Sequence, residues 1–508
     1  MGLLQAVVWA LSLALLRASP VRKASSDTSV VLNGQTYINK GIVAFGRIPS
    51  DAVESTGDTL GGIGSAMAIK YGTWNDIGNG SFSGTLVMHP DRGFNVDGTI
   101  NYQARQHDID FVLTPYYGTE DLSFEDAQET LAVVYKSTTL QFERDHNKTT
   151  GLDSLGVRPA MAGYPSDPLA DPQMPVPITI PNLSVDAEGI IANPDGTYWV
   201  SDEYGPYIYR FSGDGQLIQT IQPPSAILPR DADGNLNFTS DSDPTTGRAG
   251  NQGFEGLTFD VDNNVIYAML QSATIQDGGD DKTTSRYTRL VAYDVSNPSV
   301  RPELVGEWVV PLPQSKKNKT RACSEIAFVS PGVFFALSRD GDGEGGDDLQ
   351  SSYKWKGSTN ERRQADLFDI SNATDIHGTK FDDPANPIAV GGTLDSSIVP
   401  ATYVSFVDYL DDDQLARFGL QNGDDDDDEN DTHIDAKWES FSIAPVNDSD
   451  NPNDYFLFTA SDNDFLTTNG ISLGQPYDAG QDVDTQFLVF RVTLPSVVGG
   501  SVQRLLGV

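Results

Sequence analysis

One cysteine, Cys323, stands in 508 residues, so no intramolecular disulfide can form and the sole thiol reads first as a small buried side chain. Positive charge is scarce too. Against 72 Asp and Glu there are 33 Lys and Arg, a formal net charge of −39. That balance excludes general nucleic-acid binding, which needs clustered cations against phosphate, and it repels polyanions at long range unless cations intervene. Five histidines make no evident zinc triad. Beyond the first twenty residues no apolar run approaches the length that spans a bilayer, so stable membrane insertion is not expected. G-x-S-x-G, HExxH and P-loop patterns are missing, which disfavours an ordinary serine hydrolase, a zincin or a nucleotide-binding loop.

What is present begins with an apolar leader, Met1–Leu16, followed by Arg17, Arg22 and Lys23. Its length suits a secretory signal cleaved after Ala18. Eight sequons agree with a secreted, extracellular glycoprotein: Asn79, Asn147, Asn182, Asn237, Asn318, Asn372, Asn430 and Asn447. The expected organisation is a signal peptide at 1–18, an N-terminal segment at 19–60, a repeat domain at 61–494 and a tail at 495–508. The block Asp424–Glu429 reads as a solvated loop, and Gly341–Gly346 resembles a calcium loop in composition but lacks its spacing.

Glycine (48) and proline (29) punctuate many short strands. Residues 186–211 hold a short apolar strand, the turn Pro194–Gly196, a second strand at Tyr198–Ser201, an acidic corner at Asp202–Glu203 and a third strand at Tyr207–Phe211; a further strand follows at Leu217–Ile221. The plan recurs at 251–295, 323–370 and 438–492, with a weaker copy at 62–117. Four short strands per unit predict an all-β fold, a β-propeller of six blades within a range of five to seven, carrying long surface insertions. Residues 399–409 are expected to complete the sixth blade, and Ser123–Lys136 to form a helix capped by Ser123.

Each clear repeat places a glutamate at its first strand: Glu188, Glu255, Glu325 and Glu439. First strands line a propeller's channel, so these carboxylates should converge, and carboxylates that converge repel unless protonated or bridged by a cation. Calcium fits, since it takes six to eight oxygens in flexible geometry. A second polar series ends the following strand, giving Asp202 and Glu203 as candidate bases and Arg92 and Arg339 as candidate anion partners.

The segments DAEGI at 186–190, SDE at 201–203, NQGFEGL at 251–257, SEI at 324–326, ESF at 439–441 and SDND at 461–464 resemble the phytase-like family described by esterase-like activity of phytase, in its fungal secreted branch. The resemblance spans about Gly61 to Leu494. It implies a phosphoric-ester hydrolase, phosphodiesterase-like or phytase-like, with shared Glu and Asp residues carrying the chemistry. The residues themselves leave two alternatives open: a calcium-dependent lactonase or carboxylesterase, and a non-catalytic binding propeller with structural calcium. The expected partner is a small-molecule ester, and the chain is read as a monomer.

Overall fold

The computed structural model describes residues 27–95, 98–339, 363–422 and 432–508. The leader, the Asp424–Glu429 block, the Gly341–Gly346 loop and the Asn430 sequon lie outside these residues.

Five antiparallel sheets stand in a ring. Blade one is built from Ala66–Ile69, Ser81–His89, Arg105–Leu113 and Leu131–Leu140, from the centre outward. Blade two has Ala187–Ala192, Tyr198–Asp202, Ile208–Phe211 and Leu217–Ile221. Blade three has Phe254–Asp260, Val265–Leu270, Tyr287–Asp294 and Glu303–Pro311. Blade four has Ala322–Ser330, Val333–Arg339, Arg363–Asp369 and Thr402–Asp408. Blade five takes Trp438–Pro445, Asp454–Ser461 and Thr485–Thr493, then Gln35–Ile48 with Thr28–Leu32 outside it. Each inner strand contacts the next, and the fifth contacts the first, so the ring closes.

The fold is therefore a five-bladed propeller, the low end of the expected range. The strand expected to complete a sixth blade, Thr402–Asp408, instead pairs with Arg363–Asp369 as the outer edge of blade four. The predicted helix also shrinks. Ser123 does cap one, accepting from the Asp126 N–H, but it runs only over Phe124–Gln128. Leu131–Leu140 then forms the outer strand of blade one, because LAVVY is rich in β-branched and aromatic residues that suit a half-exposed edge better than a helix.

Inner strands are almost wholly buried, as in Ala187–Ala192. Gly189 and Gly256 let them crowd together: a Cβ on Gly189 would collide with Leu257, and one on Gly256 with Ile326. At the end of the channel where inner strands finish, the short helix Ser501–Leu506 lies across the opening. Arg504 pairs with Asp262 at 2.5 Å, and the Gly72 N–H donates to the Leu506 carbonyl at 2.7 Å. The other mouth, where inner strands begin, carries the acidic residues.

Candidate functional site

A bulge at the start of the inner strand shapes four of the five blades. In blade three, Phe254 faces Leu270 and Gly256 faces Met269, which leaves Glu255 unpaired. In blade five, Trp438 faces Ser461 and Ser440 faces Ala460, leaving Glu439. Blade two skips from Ala187 to Ile190, freeing Glu188 and Gly189. A bulged residue is re-aimed out of the ladder, and here it is a glutamate each time. Blade four differs. Cys323 faces Ser338 and Glu325 faces Leu337, so the bulged residue is Ser324. Glu325 stands in the register of Gly256 and Ser440, one step from the ring glutamates, and a one-residue step reverses a side chain's direction.

The structure accordingly brings Glu188, Glu255 and Glu439 into mutual electrostatic reach and places Glu325 elsewhere. Glu325 accepts the Leu257 and Ile326 backbone N–H groups at 2.8 Å each, stitching blade three to blade four. Burial pushes its carboxyl well above the usual range. Beside it Cys323 is buried, donates to the Glu325 carbonyl at 3.4 Å, and is pushed up by burial, which describes an inert thiol.

On the side of blades two and three, Asp186, Glu188 and Glu203 offer oxygens that all lie within 4.8 Å of one another. The three residues are 1%, 6% and 2% exposed. No donor reaches Asp186 Oδ1, Glu203 Oε1 or Glu255 Oε2. Burial, then the charges of Glu255, Glu203 and Glu439, raises Glu188 well above the ordinary range. Glu203 is pushed up to about 7 by burial and the Asp186 charge, against the pull of Arg92 and Arg248. Its carboxyl lies at hydrogen-bonding range of Glu255, so the pair can share one proton. Gln271 donates to the other Glu255 oxygen.

Arg92 enters from blade one and joins Asp186 Oδ2 at 2.9 Å and Asn251 Oδ1 at 2.6 Å, with its guanidinium over the Tyr204 ring. Asp202, by contrast, is turned into its blade. It accepts the Asp186 N–H at 2.8 Å, the Gly205 N–H at 2.7 Å and the Tyr209 hydroxyl at 3.3 Å. Burial pushes it up to about 8, and its contacts fix the loop that carries Glu203 rather than face the mouth.

On the side of blade five the balance differs. Lys437 Nζ lies 2.7 Å from Asp462, 2.6 Å from Asp464 and 3.7 Å from Glu439. Arg339 joins Glu439 and donates to Ser324 Oγ at 3.0 Å. Asp91, Asp462 and Asp464 form a second group with oxygens within 4.8 Å of one another. Burial opposes the charge on Asp462, but the Lys437 ammonium outweighs it and holds that carboxyl below its usual range. His89 is sealed from this group. Its Nδ1 lies 2.5 Å from the Pro90 carbonyl, and burial lowers the ring to about 4.

Sequence reasoning passed over Asp186, Lys437 and Arg248. Asp186 opens the DAEGI segment and Lys437 precedes Trp438, so both were in view, but nothing in a lone Lys says that it points inward. Arg248 is fully buried and holds the Glu203 loop through the Tyr204, Phe238 and Thr239 carbonyls. Of the described sequons, Asn79, Asn147, Asn318, Asn372 and Asn447 are exposed, while Asn182 and Asn237 are half-buried.

Residues 81–405 match the model of the Phytase-like family, described as esterase-like activity of phytase. An uncharacterised secreted protein of Arthroderma benhamiae is 36% identical over 481 residues, covering 86% of this chain and 89% of that protein. Two solved structures are also similar: a luciferin-regenerating enzyme (11% identity, TM-score 0.25, 90% of this chain and 97% of that one) and the PQQ-bound aldose sugar dehydrogenase of Streptomyces coelicolor (12%, 0.21, 60% and 94%). Neither structural likeness is close enough to carry an argument. No helix among the described residues is long and apolar enough to cross a membrane. The family match covers more than half the chain and the relative most of it: this protein belongs to the Phytase-like family.

Proposed function

We propose that this protein is a secreted ester hydrolase that works at the acidic mouth of its channel with a bound divalent cation, and that its substrates are phosphoric esters. Family membership supports the hydrolase class, and the leader, sequons and secreted relative support export. One observation carries the cation: a buried carboxylate oxygen on each of Asp186, Glu203 and Glu255 has no protein donor. Buried charge left unmatched is expensive, so such a group holds protons or a cation. The donors are all oxygens, which favours a hard ion, and calcium above magnesium because the ligands are many and flexible.

Asp186, Glu188 and Glu203 would hold the ion, which supplies Lewis acidity toward an ester oxygen and acidifies a water. The chain's own residues do the rest. Glu255, beside the Glu203 carboxylate, holds the proton that is passed to the substrate's leaving oxygen. Arg92 and Arg339 flank the carboxylates from blades one and four and offset charge that develops on the leaving phosphate. Asp202 and Arg248 keep the Glu203 loop in place.

A second reading, a lactone or carboxylic ester as substrate, is favoured by one feature. Arg92, Arg339 and Lys437 are already engaged by carboxylates, and a neutral ester meets no repulsion from a chain of net charge −39. Purified protein should be assayed against a phosphomonoester, a phosphodiester, phytate and a lactone, with and without EDTA. Phosphoric-ester turnover abolished by EDTA and restored by calcium is the expected result. Turnover indifferent to EDTA would remove the cation from the mechanism. A calcium-stabilised protein that turns over none of the four would be a binding propeller with structural calcium.

A further inference from the structure

The two acidic groups at the mouth each keep their oxygens within 4.8 Å of one another but differ in the protein cations that touch them. Around Asp91, Asp462 and Asp464 a lysine ammonium sits at salt-bridge distance from two carboxylates, with a third, Glu439, at 3.7 Å. Around Asp186, Glu188 and Glu203 the one cation in direct contact among the described residues is Arg92, which touches Asp186 alone of the three, while the buried Arg248 pulls on Glu203 from longer range.

Lys437 is held where it is by backbone as well as by charge. It directly precedes the buried inner strand of blade five, and its carbonyl accepts the Asp462 N–H at 2.7 Å. The Asp464 N–H donates back to Asp462 Oδ1 at 2.8 Å, and Asp464 and Phe465 both take left-handed backbone, at φ 49° and 58°. Residues other than glycine seldom adopt that conformation, and here it turns the chain so that Asp464 faces the same ammonium as Asp462. Asn463 locks the turn by donating to the Val483 carbonyl and accepting from the Gly62 N–H, both at 2.8 Å.

We propose that the mouth is built with two cation positions, and that Lys437, in contact with Asp462 and Asp464, permanently fills the one these two form with Asp91. An ammonium carries one charge and three N–H donors, and it activates no water. That half of the mouth therefore orients and neutralises, while ion chemistry is confined to the Asp186–Glu188–Glu203 half. Removing the ammonium opens an all-oxygen position of the kind that calcium takes. The identity of the first position rests on the metal-dependent reading above; the lysine-filled position rests on its own geometry.

The test is the number of ions bound, read by calorimetric titration of metal-free protein with calcium and repeated by terbium luminescence. Lys437→Met should bind one ion more than the unaltered protein, and Lys437→Arg, which keeps the charge, should bind no more. Lys437→Met/Asp462→Asn should lose the added ion. No gain on Lys437→Met overturns the proposal, whatever number the unaltered protein binds. An unaltered protein that binds none would instead count against the metal-dependent reading. If Lys437→Met folds only with calcium present, terbium-soaked crystals of the unaltered protein decide. Anomalous density between Asp91, Asp462 and Asp464 overturns the proposal, and its absence there with a peak at Asp186–Glu188–Glu203 supports it.

Discussion

The blade-five half of the mouth and the half formed by blades two and three are made of the same side chains and solve the same electrostatic problem differently. In the first, Lys437 and Arg339 are set among Asp462, Asp464 and Glu439, and the acids there meet a cation the chain itself supplies. In the second, Asp186, Glu188, Glu203 and Glu255 have one cation in contact, Arg92 on Asp186, with the buried Arg248 pulling on Glu203 from longer range, and several buried oxygens have no donor at all. The comparison teaches that a buried acidic group is informative only after its cations are counted. A group whose acids touch the chain's own cations is architecture; one whose buried oxygens meet no donor is prepared for something from solution.

The most severe way to break this contrast is Glu188→Gln, which removes charge from the unbalanced half. Esterase turnover is expected to fall by at least about 100-fold, because a ligand or transition-state contact is lost. The metal-free protein should melt no lower than the unaltered one, since a buried, unpartnered carboxylate is relieved. A variant with near-normal kcat/KM would remove Glu188 from the site. Arg339→Met attacks the lysine-filled half and, besides slowing turnover, should lower stability where Glu188→Gln does not. It leaves Glu439 buried beside Lys437 alone, costing about 3 kcal/mol in denaturant unfolding. Glu439 is already pushed up to about 7 by burial, so the loss should be larger at pH 8 than at pH 5.

Acidity sharpens the comparison without a mutation. Asp202, Glu203 and Glu439 are raised by burial to about 8, 7 and 7, above their unfolded values near 4. For a raised carboxyl the charged form is the disfavoured one. Its stabilising effect is complete below the unfolded value and disappears as pH climbs through the folded one. Metal-free protein should therefore melt at a lower temperature at pH 8.5 than at pH 5.5, and calcium should flatten that fall. Surface acids run the other way but act elsewhere: Asp448, held at about 2 by its hydrogen bond to Arg491, loses its contribution only in strong acid. A pH-independent melting temperature in EDTA would show that the cluster bears no such strain. The smallest effect is expected from Glu325→Gln. One oxygen of Glu325 accepts both backbone N–H groups, and an amide carbonyl can do the same. Activity should stay within about twofold and stability within about 0.5 kcal/mol, the size of an ordinary silent change. A loss like that of Glu188→Gln would return Glu325 to the ring.

How much of this could be read from the residues alone depends on which physics was local. The strands of blade two were legible nearly to the residue, because the Pro194–Gly196 turn and the Asp202–Glu203 corner bracket the second of them. The helix beyond Gln128 was misread, since an outer strand's pattern blurs when one face meets solvent. The ring of glutamates was legible as a repeat, and its flaw was visible too. Glu188, Glu255 and Glu439 are each followed by one small residue before the apolar one, Gly189, Gly256 and Ser440, whereas Glu325 meets Ile326 directly. That missing residue is the bulge shifted by one position. Lys437 was not legible, because which way a lysine points is decided by a turn more than twenty residues away in sequence.

The closing strand Gln35–Ile48 has a consequence for the making of the molecule. Its ladder partner, Thr485–Thr493, is synthesised more than four hundred residues later, so the ring cannot be fastened until that segment has emerged. Four blades can gather early from neighbouring strands, but the fifth waits on a contact between distant ends, which carries the largest loop-closure entropy in the fold. Until then the strand edges of both end blades stand open to other chains. The slow step in producing this protein should be ring closure, and the chain spends that interval in need of a chaperone rather than an oxidant.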